Sequence, residues 1–137
     1  MRTVMAFGTF DLLHQGHLHY LREAKALGDE LVVVVARDEN VLKIKGKKPL
    51  NSEQQRLKAV EEAGIAGKVV LGDREMRNWE IVKRFHPTVI ALGYDQWPAI
   101  ESLRKELNAA GLSPLIERIS AFEPHKYKSS KMRNSKN

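Results

Sequence analysis

"TVMAFGTFDLLHQGHLHYLREAKALGDELVVVVA", residues 3–36, is the stretch that decides the fold. Its two ends, TVMAF (3–7) and LVVVVA (31–36), are near-continuous apolar runs. Strands buried on both faces of a parallel sheet read this way, whereas a half-exposed strand alternates. Between them, residues 16–27 carry a helical pattern with Gly28 at a plausible C-cap. Strand, helix and strand in that order imply a right-handed crossover between parallel neighbours.

The pattern continues along the chain. Further apolar runs lie at KVVLG (68–72), TVIALG (88–93) and PLIERI (114–119). Helical patterns fill 53–63, 78–85 and 99–110, with Gly64 and Gly111 at C-cap positions and Ser52 and Gln55 spaced as a capping box. The expected fold is therefore α/β: a doubly wound, Rossmann-like, five-stranded parallel sheet with helices on both faces. A chain of 137 residues holds one such core. The reading is a single domain over residues 1–123, followed by a basic C-terminal segment at 124–137 that closes over a ligand or frays into solvent.

Composition narrows the function. No apolar run approaches the roughly 20 residues of a membrane helix, and the opening MRTVMAFGTFD lacks the succession of a signal peptide, so a cytoplasmic protein is expected. The absence of cysteine excludes disulfides, thiolate metal sites and cysteine nucleophiles. The net charge is +6, but Lys126, Lys128, Lys131, Arg133 and Lys136 lie in the last segment, leaving 18 basic against 17 acidic residues before it. That distribution, with a second cluster at Lys43, Lys45, Lys47 and Lys48 in an expected loop, suits a compact polyanion at least as well as a nucleic acid.

Ligands of doubly wound sheets bind beyond the carboxyl ends of the strands, where strand order reverses. Here the loop after the first strand is GTFDLLHQGH (8–17), which runs into a helix start suited to a phosphate. Gly8 and Gly16 would let the backbone approach an anion closely. Neither GxxxxGK[ST] nor GxGxxG is present, so phosphate binding has to use other groups. His14 and His17 can donate hydrogen bonds to charge growing on a phosphoryl group. The alternatives are two structural histidines, or a metal site with His19, for which Asp11 is the nearby carboxylate and no HExxH exists.

GTFD followed by His14-Gln15-Gly16-His17 resembles the signature of the cytidylyltransferase-like nucleotidyltransferase superfamily. VVVARD, KIKGKKPL, SEQQRL, VVLGD and VIALGYDQ stand in the order of its archaeal FAD synthase branch. The resemblance implies adenylyl transfer from ATP to FMN, giving FAD and pyrophosphate. It assigns His14 and His17 to transition-state stabilisation, and Thr9, Phe10, Gln15 and Gly16 to the nucleotide. Asp95 would contact ribose or base, and Ser129 and Ser130 in KSSKMR, with Lys131 or Arg133, the β- and γ-phosphates. The segment departs from the branch, with Lys128 before the serines and no upstream cysteines. A cytidylyltransferase acting on glycerol 3-phosphate is the alternative within the superfamily, although its Arg-Thr-Glu-Gly-Ile-Ser segment is missing here. A non-catalytic nucleotide- or nucleic-acid-binding protein is the alternative outside it. Superfamily members are often dimers, so a homodimer is an open expectation.

Other positions carry two readings each. Lys45, with Lys47, either neutralises phosphate during transfer or sits on a solvated loop. Arg37 and Asp38 border the site or form an ordinary ion-paired cap. Trp97 is the better candidate for ring stacking, and Trp79 for packing at a helix start. Asp11 orients a histidine or caps the loop, while His86 and His125 have no assigned role. The expected divalent metal, magnesium or a similar ion, arrives with the triphosphate rather than in a protein-built site.

Overall fold

The computed structural model describes residues 1–75, 77–96 and 99–122. Five strands, β1 (Thr3–Gly8), β2 (Glu30–Val35), β3 (Lys68–Leu71), β4 (Val89–Leu92) and β5 (Leu115–Arg118), form one sheet in the order β3-β2-β1-β4-β5, with every pairing parallel. Helices α1 (Gln15–Lys25), α2 (Asp38–Lys45), α3 (Glu53–Ala63), α4 (Glu80–Phe85) and α5 (Ile100–Ala109) connect them.

The side-chain period of two in a strand explains why the central runs are apolar throughout. Val4, Ala6, Leu31, Val33, Val35, Val89 and Ala91 pack with Leu21 and Ala24 of α1 and Val60 of α3. Met5, Val32, Val34, Ile90 and Leu92 face the other way, against Ile81 and Val82 of α4 and Leu103 and Leu107 of α5. Each buried Val or Leu contributes about 1.5–3 kcal/mol. Swapping alternate residues for polar ones would therefore strip one helical layer. The doubly wound sheet anticipated from residues 3–36 is the fold.

Two local expectations are corrected. Lys43 and Lys45, read from the sequence as loop residues, lie in the last turn of α2, which ends at Gly46 with φ 78°. Asp38 and Glu39 in its first turn and the two lysines in its last complement the helix dipole. Gly28 is not a C-cap: α1 is capped at Ala26 in right-handed geometry. Gly28 is needed because a Cβ there would come 2.6 Å from the Arg2 carbonyl oxygen. Ser52 and Gln55 form the expected capping box, their side chains and backbones exchanging bonds of 3.2 and 2.8 Å.

Candidate active site

The site opens where β1 parts from β4. The β1–β2 ladder runs from Thr3↔Glu30 to Gly8↔Val35, but the β1–β4 ladder stops at Ala6↔Ala91. Side chains then take up the backbone groups that the ladder leaves. The Tyr20 hydroxyl accepts from Phe7 N at 3.2 Å and donates to the Ala91 carbonyl at 2.7 Å. Gln96 Nε2 donates to the Phe7 carbonyl at 2.8 Å while its Oε1 accepts from Gly93 N at 2.9 Å. Burial raises the Tyr20 phenol far above its ordinary pKa, outweighing the Phe7 backbone bond, so the hydroxyl stays protonated as a bridge. Beyond it lies a cavity of about 1370 Å³ reaching from the ends of β2 and β3 to those of β4 and β5.

His14 and His17 form the entrance to α1. His14 is the N-cap, its Nδ1 accepting from Gly16 N at 3.1 Å, and His17 Nδ1 accepts from His14 N at 3.3 Å. The pair is a capping box made of imidazoles. Their rings stack with centroids 3.9 Å apart and planes 24° from parallel. With Nδ1 an acceptor in each, the proton of each neutral ring sits on Nε2, and both rings are N–H donors. Burial holds the His17 pKa below its usual value, and the nearby His14 and Lys45 lower it further against the opposing Leu12 backbone. Among the five described helices, α1 alone has no acidic residue in its first turn. No carboxylate from its own first turn offsets its positive dipole end.

The loop is fastened from behind. Asp11 accepts from Leu50 N at 2.8 Å and Asn51 N at 2.9 Å. Burial opposes ionisation of this carboxyl, but those two backbone donors, with Arg56 and the Asn51 side chain, bring its pKa below the ordinary carboxylate value. Arg56, 1% exposed, donates to the Asn51 carbonyl at 3.0 Å, the Thr9 carbonyl at 2.8 Å and Asp38 Oδ1 at 2.6 Å. Phe10 takes φ 55°, a left-handed conformation costly for a bulky residue, and its ring is buried. A Cβ on Gly8 would come within 2.6 Å of that ring.

Several expectations change here. Gly8 and Gly16 also make room for the Phe10 and His14 rings, since a Cβ on Gly16 would lie 2.9 Å from His14 Cε1. Asp11 bonds to the 50–51 backbone and not to a histidine. Thr9, Phe10, His14, Gly16, His17, Lys45 and Asp95 line the cavity together, whereas Gln15 is exposed and outside its lining. Arg37 bonds to the Gly72 carbonyl and pairs with Glu53, while Asp38 pairs with Arg56. Trp79 is the N-cap of α4, packed on the second core layer and lining the cavity. His19 Nε2 lies 3.1 Å from the Ser120 carbonyl. Among the described residues no group of three metal-ligating side chains assembles. Trp97, His125, Ser129, Ser130, Lys131 and Arg133 lie outside the described residues.

Arg56, Tyr20, Gln96 and Asn40 do not stand out in the sequence. Arg56 carries a faint signal, standing four residues before Val60 on the inward stripe of α3. Tyr20 and Gln96 show their roles only once β1 and β4 are seen to diverge, and Asn40 only once α2 is seen to pack against the Asp73 backbone.

Residues 5–135 match the model of the cytidylyltransferase-like family. The chain belongs to that family. Curated relatives named FAD synthase include one from Methanosarcina barkeri, 49% identical over 87% of this chain and 84% of its own. Another, from Thermoplasma acidophilum, is 44% identical over 97% and 92% of the two chains. A third, from Thermococcus sibiricus, is 41% identical over 97% and 87%. A crystal structure described as a lipopolysaccharide core biosynthesis protein from Thermoplasma volcanium superposes with a TM-score of 0.84 at 42% identity, covering 90% of this chain and 99% of that one. Pantoate-β-alanine ligase from Francisella tularensis shares the fold of the family alone, at 10% identity and a TM-score of 0.60 over 93% of this chain and 65% of its own.

Proposed function

We propose that this chain transfers the adenylyl group of ATP to FMN, giving FAD and pyrophosphate. The observation that carries the reading is the pair of Nε2–H donors, stacked at an uncompensated helix N-terminus and lining a cavity larger than the roughly 300–1000 Å³ typical of a single small ligand. Two substrates have to meet there. The similarity to FAD synthases over nearly the whole chain supports ATP and FMN as those two.

In this mechanism an oxygen of the FMN phosphate forms a bond to the α-phosphorus of ATP while the bond to pyrophosphate breaks in line. Charge grows on the α-phosphate oxygens, where His14 and His17 donate without having to reorganise. Lys45 adds positive charge on the same side, and no covalent enzyme intermediate is needed. Thr9, Phe10 and Gly16 border the triphosphate, with Phe10 contributing through its backbone because its ring is buried. Asp95 faces the nucleoside, and Gln15 holds an outer position. Ser129 and Ser130, in the 124–137 segment that follows the single domain in sequence, take the β- and γ-phosphates. A divalent cation arriving with the triphosphate would supply charge dispersal between its phosphates. No helix among the described residues is long and apolar enough to cross a membrane. We place the reaction in the cytoplasm and leave a homodimer as a compatible assembly.

The test is to incubate the purified chain with magnesium and either ATP plus FMN or CTP plus glycerol 3-phosphate, following pyrophosphate and FAD. FAD and pyrophosphate in equal amounts from the first pair is the expected result. Pyrophosphate from the second pair alone would replace the adenylyltransferase with a cytidylyltransferase.

A further inference from the structure

The cavity has two halves. One lies beside Gly93–Gln96 and Ser120–Phe122; the other lies past the ends of β2 and β3, beside Asn40, Asp73, Trp79 and Ile81. In the second half Val34, Ile44, Trp79 and Ile81 offer carbon surface. Arg37, Asp73, Glu75 and Arg77 line it as well, and among these polar side chains Asn40 is the buried one.

Asn40 occupies the first turn of α2 and is only 6% exposed. Its Nδ2 donates to the Asp73 carbonyl at 2.9 Å, which fixes which end of the amide is oxygen. Oδ1 is buried and has no hydrogen-bond partner, the one side-chain polar atom so placed among the described residues. Folded proteins rarely leave such an acceptor unpaired, and one in the wall of a ligand cavity points to a donor carried by the ligand. The last torsion of an asparagine is broad, and the residue lines the cavity, so its amide can turn to present Oδ1 to a donor there.

The ligand that fits is flat, largely apolar and carries one N–H. Oxidised isoalloxazine has that character, with an imide N–H between two carbonyls as its only ring donor. We propose that Asn40 determines acceptor specificity, its Oδ1 accepting the imide N–H of FMN while the ring lies along Trp79. This inference rests on the adenylyl-transfer reading. A site built around such a bond discriminates strongly against an analogue that lacks the donor.

The test compares FMN with N3-methyl-FMN as acceptors for the native protein, at saturating ATP. The KM for the methylated flavin should be roughly tenfold or more above that for FMN, the factor expected from losing one buried hydrogen bond. In Asn40→Leu the KM for FMN should rise by a similar factor, the preference between the two flavins should vanish, and the KM for ATP should stay unchanged. Equal KM values for the two flavins in the native protein would overturn the inference, and that comparison stands even where Asn40→Leu does not fold. Retention of the preference in Asn40→Leu would also overturn it. A native protein that makes no FAD overturns the adenylyl-transfer reading and this inference with it, whereas FAD formation without discrimination overturns this inference alone.

Discussion

The first loop has a back and a front, and they are made differently. Behind it, Arg56 and Asp11 direct their hydrogen-bonding capacity to backbone and to Asp38, with Arg56 almost wholly buried. In front, His14 and His17 use one ring nitrogen each for the helix start and keep the other as a donor, and Lys45 is exposed on the cavity wall without an ion pair among the described residues. The back fixes positions and the front retains valence. Damage behind should therefore register in stability, and damage in front in turnover.

The sharpest way to break this division is His17→Ala. Turnover should fall roughly 100- to 1,000-fold, the scale of losing one transition-state donor, while stability falls only by the roughly 0.5–2 kcal/mol of a weakened helix cap. A midpoint drop matching that of a buried-core variant would put His17 with the scaffold. Arg56→Met is the converse test. Leaving the Thr9 and Asn51 carbonyls and Asp38 without their donor should cost about 3 kcal/mol or more in denaturant unfolding. A change within about 0.5 kcal/mol, the range of ordinary surface substitutions, would show that the loop is held some other way.

A smaller effect is expected from Tyr20→Phe, which leaves Phe7 N and the Ala91 carbonyl unpaired where the strands part, at about 1–2 kcal/mol. An unchanged unfolding curve would mean that another group closes that gap. The smallest concerns Lys45→Ala. Stability should be unaltered and turnover reduced about tenfold, the loss of about 1.4 kcal/mol from the barrier. The His17 titration followed by NMR should move up toward the usual histidine range, because one of the charges that lowers it is gone. Since His17 titrates low in the folded protein, its contribution to stability is complete above the ordinary pKa near 6.5 and is lost as pH falls toward the lower folded value. A titration midpoint unchanged in Lys45→Ala would separate the lysine from the histidine pair.

Much of the fold is legible in the sequence. The central strand LVVVVA, residues 31–36, is unmistakable because burial on both faces removes polar alternation. The histidines can be placed by their position after β1. Helix α2 is hidden because KIKGKK reads as a charged loop, and its buried Asn40 and Val41 fall too close together to show a helical period. Arg56 is hidden for another reason. A guanidinium is expected in solvent, and only the convergence of Thr9, Asn51 and Asp38, from three separated segments, makes its burial favourable. The reasons for Gly8 and Gly16 are likewise steric facts about neighbouring rings, which spacing does not encode.

The imidazole capping box has one more consequence. His17 Nδ1 already receives the His14 backbone N–H, so a proton added to that ring must face a hydrogen pointed at the same lone pair. Acid would thus unfasten the first turn of α1 in the same event that alters the donors. The helix start works as a fuse, and as pH falls through the lowered His17 value the first turn of α1 would fray before the sheet beneath is disturbed.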